Sequence, residues 1–153
     1  MDKETKRIAI WELNNKVNEF VRDKNLFCGG CCFSAYVLSN VLTKIGIKYE
    51  VLIFQSSRIR EKLTFNDAVN DDGCDHVAIE VRLGAKRVII GRFDDLNNYY
   101  RMFHIKPKIR RYKDITPCML RNAYYSNTWN HLYNTNNNRP LSISLNKIAR
   151  KYI

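Results

Sequence analysis

The residue types that matter most for chemistry here are a cysteine cluster, a later histidine, and a pair of aspartates beyond it. The cluster reads Cys28-Gly29-Gly30-Cys31-Cys32-Phe33-Ser34-Ala35, His76 follows within Asp75-His76, and Asp94-Asp95 comes last. A cysteine at the start of a helix feels the positive end of the peptide dipoles, which favours thiolate and lowers the thiol pKa. A histidine on a neighbouring strand would take the thiol proton, and a carboxylate beyond it would hold the imidazole in its productive tautomer. Cys31, His76 and Asp94 supply those three parts in order. The chemistry they point to is nucleophilic attack of sulfur on an acyl carbon.

The elements needed to position these groups are legible in the hydrophobic pattern. Residues 4–24 carry an apolar stripe through Ile8, Leu13, Val17, Phe20 and Val21, and predict an opening helix. Phe27 to Gly30 interrupt it. From Cys31 to Lys44 the spacing of Ala35, Leu38, Val41, Leu42 and Ile45 predicts a second helix, and Gly46 a left-handed stop. Tyr49–Phe54 reads as a strand, and residues 56–73 as a polar insertion with one helical turn. His76–Arg82 and Arg87–Phe93 read as an antiparallel pair joined at Gly84. The expected class is α+β, with the cysteine-bearing helix packed on an antiparallel sheet that carries the histidine and the aspartate.

Composition sets outer bounds. A chain of 153 residues, 45% hydrophobic and 27% charged, is expected to form one globular domain over residues 1–153. Five cysteines, an odd number with three nearly contiguous, do not read as a disulfide framework. No apolar run reaches the length of a membrane span, and the first residues lack the apolar core of a signal peptide, so a cytoplasmic address is the expectation.

The net charge of +11 is unevenly spread. Residues 1–100 hold 15 Lys and Arg against 14 Asp and Glu, whereas residues 101–153 hold 11 against the single carboxylate of Asp114. Arg101, Lys106, Lys108, Arg110, Arg111 and Lys113, interleaved with aromatics, are candidate anion-binding residues for nucleic acid or another polyanion. The competing expectation is an amphipathic edge strand whose cationic stems cover the core. Residues 96–153 would then form a basic extension that completes the sheet or holds an anionic partner. Leu141-Ser-Ile-Ser-Leu145 alternates before a short basic helix or tail. His104 and His131 lack a catalytic context, and Trp11 and Trp129 read most simply as core or interface aromatics.

Gly29-x-Cys31-x-x-x-Ala35, with Gly46-Ile47 starting 15 residues after Cys31, resembles the nucleophile segment of the transglutaminase-like branch of papain-fold cysteine enzymes. His76-x-x-x-Glu80 on a strand, then a turn, a strand and Asp94, resembles that family's second segment. The resemblance spans residues 27–95 and implies a papain-like catalytic core with a Cys31, His76 and Asp94 triad. Ala78 stands where the family has an aromatic residue, and Asp95 where a proline often follows the aspartate.

Gly29-Gly30-x-Cys32-Phe33 is also similar to the nucleophile motif of arylamine N-acetyltransferases, which would make Cys32 the nucleophile. The spacing to Gly46 favours Cys31. Adjacent helical residues point about 100° apart, so only one can face the histidine.

The expected activity is cysteine-dependent acyl transfer, foremost hydrolysis of a peptide or amide bond, with no cofactor. The alternatives are an acetyltransferase-like acyl transferase, and a non-catalytic structural or nucleic-acid-associated component, for example of a viral particle. A zinc site built from Cys28-x-x-Cys31 and Cys74-x-His76 is a further competitor. No metal is the primary expectation.

Overall fold

The computed structural model describes residues 1–24, 30–55, 64–70, 74–91, 101, 104, 108–123 and 135–153. Helix α1, Lys3–Asp23, begins at Asp2, whose carboxylate accepts the Thr5 N–H at 2.7 Å and so satisfies one orphan donor of the first turn. Ile10, Leu13, Val17 and Val21, spaced by three and four, form its buried stripe. Trp11 lies off that stripe and is 64% exposed, so of the two expectations, a core or an interface aromatic, the core one fails.

Helix α2, Gly30–Lys44, is buried on most of its circumference, with Phe33, Leu38 and Leu42 fully enclosed. Its end is set by Gly46 at φ +76°, a left-handed conformation costly for any residue with a Cβ. There the Ile47 N–H donates to the Leu42 carbonyl at 2.9 Å and the Gly46 N–H to Thr43 at 3.2 Å, a Schellman closure. The chain turns back at once into β1, Tyr49–Gln55. A short helix α3, Phe65–Val69, supplies the one helical turn expected within the polar insertion. Strands β2, Cys74–Leu83, and β3, Lys86–Ile90, form the hairpin around Gly84.

Strand β4, Lys108–Tyr112, comes from the basic third of the chain and pairs with β1. The four strands lie in the order β3-β2-β1-β4, with every pair antiparallel. Among the described residues, two further α-helices follow, α4, Pro117–Ala123, and α5, Thr135–Ala149, the second running into a short 3-10 turn, Arg150–Tyr152. Helix α4 packs on α2, and α5 packs mainly on α1. The alternation seen at Leu141–Leu145 is not a strand. Leu141, Leu145 and Ala149 recur every four residues and bury one face of α5, so helical periodicity wins there.

The sheet separates two apolar layers, as a period of two requires. Val51, Ile53, Val77, Ile79 and Val81 join the helices in the main core. Leu52, Phe54 and Ala78 point to the reverse face with Ile89 and Ile109. On that reverse side Glu80, which lies opposite Glu50, pairs with Arg87 at 3.4 Å and Arg111 at 3.2 Å. Two cations from the edge strands thereby offset a carboxylate otherwise buried beside its like.

Candidate active site

The position of the site follows from element lengths. A helix of 15 residues is about 22 Å long at 1.5 Å per residue. A strand of 7 residues covers about 23 Å. The short turn at Gly46 therefore carries β1 back level with the start of α2. The end of β1 and the beginning of β2 meet the first turn of the helix.

Register then selects the residues. Phe54 of β1 is opposite His76 of β2, and the pairing becomes irregular between Phe54 and Gln55, where Gln55 is matched with Cys74. The His76 ring stands edge-on to Phe54, with centroids 5.3 Å apart and planes at 77°. Its residue is only 2% exposed. Such a setting holds the imidazole in place by packing.

Cys31 is half-buried in the first turn of α2, and Cys32 is buried beside it with the two sulfurs 3.9 Å apart. The Cys31 thiol is held well below the ordinary cysteine value. The hydrogen bond from Cys32 contributes most, burial opposes it, and the hydrogen bond and charge of His76 then lower it further, with the Val77 backbone adding to the effect. A half-buried cysteine whose thiol is held below its ordinary value has more of the thiolate character that nucleophilic chemistry requires. Cys31 and His76 thus stand in contact across 45 residues of chain, whereas Cys32 serves Cys31 as a hydrogen-bond partner.

The chain matches no protein-family model, no curated protein and no solved structure.

Asp94 and Asp95, the candidate orienting carboxylates, lie outside the described residues, as do Lys106, Cys28, Trp129 and His131. Among the described residues, no group of three or more His, Cys, Asp or Glu side chains is placed to hold a metal ion. The other candidate cations do not share one surface. Lys108 and Arg101 are exposed, but Arg110 donates to Gln55 at 3.1 Å while Arg111 pairs with Glu80. Arg110 sits opposite Ile53 and Arg111 opposite Leu52, which point to opposite faces of the sheet. Pleating divides what the sequence presents as one basic run. Lys113 instead lines a cavity of about 1030 Å³ with Glu50, Glu80 and Arg82, at the far end of the sheet from Cys31.

One polar residue at the Cys31 end of the sheet escaped the sequence reading. Gln55 ends an otherwise apolar strand and is 1% exposed, with its Oε1 accepting from Arg110 Nε. The available signal was a carboxamide at a core-facing position of the period-two pattern, one residue past the position opposite His76.

No helix among the described residues is long and apolar enough to cross a membrane.

Proposed function

We propose that this protein is a cysteine-dependent acyl-transfer enzyme with a papain-like, transglutaminase-like core, and that it hydrolyses a peptide or amide bond. The observation that carries the reading is the Cys31 sulfur in the first turn of α2, its pKa depressed by Cys32 and His76. In this scheme the thiolate attacks the acyl carbon, and the imidazolium of His76 gives its proton to the leaving amine. His76 then draws a proton from water, which attacks the acyl-sulfur bond and releases the acid. Asp94 is assigned the orienting role on His76. The burial of Cys32, and its contact with a Cys31 thiol held below its ordinary value, support Cys31 as the nucleophile.

The test is alkylation by iodoacetamide over a pH series, with modified cysteines located by peptide mass spectrometry. Rapid, selective modification of Cys31 well below the ordinary thiol pKa of about 8.5 is expected. Slow modification of Cys31 with an ordinary pH profile would sink the assignment.

A further inference from the structure

Gln55 presents an unsolved problem in hydrogen-bond accounting. Its carboxamide is enclosed, and Arg110 Nε donates to Oε1 at 3.1 Å. That bond fixes which end of the amide is which, because a guanidinium has only donors and must meet the oxygen. The two N–H donors on Nε2 consequently point elsewhere. Nε2 is buried and has no hydrogen-bond partner among the described residues. Leaving such a donor unsatisfied costs about 1–3 kcal/mol. Buried side-chain amides nearly always find partners, so an exception calls for an explanation.

Placement supplies one. Gln55 is the last residue of β1, one step beyond Phe54, which is opposite His76. Arg110, its partner, is opposite Ile53, a residue of the core shared with α2. The carboxamide therefore belongs to the α2 side of the sheet, at the end where the first turn of the helix carries Cys31. We infer that Gln55 is a catalytic residue whose Nε2 donates a hydrogen bond to the oxyanion formed when Cys31 attacks an acyl carbon. The inference rests on the acyl-transfer reading above and adds a residue to it.

The step balances without a further reagent. The Cys31 sulfur forms a bond to the carbonyl carbon, and the C=O π pair moves onto oxygen, to which Gln55 Nε2–H donates a hydrogen bond. When the pair returns, the bond to the leaving group breaks, and His76 supplies the proton that group needs. Arg110 acts behind Gln55 as a positioning residue. Its charge on Oε1 draws electron density from the amide and strengthens the opposite N–H donors. A donor that already stands unpaired costs no reorganisation as charge develops on the substrate oxygen. The substrates favoured are those whose carbonyl becomes tetrahedral, rather than those displaced at saturated carbon.

This difference provides the test, with two probes of the same sulfur. Acylation by 4-nitrophenyl acetate passes through an oxyanion, whereas alkylation by iodoacetamide does not. In Gln55→Met, acylation at saturating probe should fall about 10²–10³-fold, the usual loss for one oxyanion donor, with KM little changed and alkylation of Cys31 at the wild-type rate. Gln55→Glu keeps the shape and the Arg110 contact but has no N–H donor. Compared on its alkylation plateau, it should show the same selective loss, which guards against a misfolded methionine variant. If acylation and alkylation fall together in both variants, Gln55 merely supports the thiol and the inference is overturned. Unchanged acylation in both would overturn it as well. Failure of wild-type Cys31 to alkylate rapidly would instead strike the acyl-transfer reading itself, and the Gln55 role with it.

Discussion

Cys32→Ala isolates the contact that does most to activate Cys31. The two sulfurs are 3.9 Å apart, and the Cys32 hydrogen bond is the largest influence holding the Cys31 thiol below its ordinary value. A hydrogen bond to a charged group contributes about 1.5–3 kcal/mol, but a thiol is a weak donor and this one is long. About 1 kcal/mol is a reasonable share, and since 1.36 kcal/mol is tenfold, the Cys31 ionisation constant should drop about fivefold. The sign follows from the group: losing a bond to the thiolate raises the pKa, so the alkylation profile moves to higher pH. Cys32→Ser retains an O–H donor and should shift the profile less. The assay is the second-order rate of iodoacetamide alkylation at Cys31 across pH, with the plateau rate as a check on access to the sulfur. A Cys32→Ala profile that coincides with wild type, or moves to lower pH, would refute the reasoning.

Three other perturbations probe different parts of the molecule. His76→Ala should abolish the proposed acyl transfer and push Cys31 alkylation toward the ordinary thiol profile near a pKa of about 8.5, read by the same pH series. Leu38→Ala removes a fully enclosed side chain at the centre of α2 and should cost about 2–5 kcal/mol in urea unfolding, with an unchanged m-value. Tyr152 donates to Glu12 at 2.6 Å, and this bond first, then burial and the carboxylate charge, pushes its phenol up to about 12. Its contribution to stability is therefore complete below the ordinary tyrosine pKa of about 10 and is lost as pH rises through about 12. Glu12→Gln should return this late component of the ultraviolet pH titration toward the other tyrosines, and Tyr152→Phe should delete it.

Much of the scaffold was legible because local periodicity and burial agreed. The α2 stripe, the Gly46 stop and the β2–β3 hairpin each have a cause within a few residues of themselves. The convergence of Cys31 and His76 was suggested in outline by chain order, a cysteine at a helix start followed by a histidine on a strand. Their contact, however, depends on helix length matching strand length and on the register that sets Phe54 opposite His76. Gln55 was missed because its importance lies in an unfilled donor, and donor satisfaction depends on which strand lies alongside. The basic run at Lys108–Lys113 suggested one surface, but pleating sends Arg110 and Arg111 to different partners on different faces. Leu141–Leu145 misled because a five-residue window fits period two while the longer spacing through Ala149 is helical.

The antiparallel return from α2 to β1 also ties reactivity to the order of chain assembly. Cys31 lies on a segment that can coil early, but His76 reaches it only after β1 has paired with β2 in the correct register. Until then the sulfur has neither the imidazole nor an enclosed setting, and it behaves as an ordinary thiol. A one-residue slip of β2 would turn His76 to the wrong side and silence the centre while leaving most of the sheet hydrogen-bonded. If Cys31 is the proposed nucleophile, the onset of its fast alkylation during refolding is a clock for correct β1–β2 register, and a growing polypeptide carries only an ordinary thiol until that register is made.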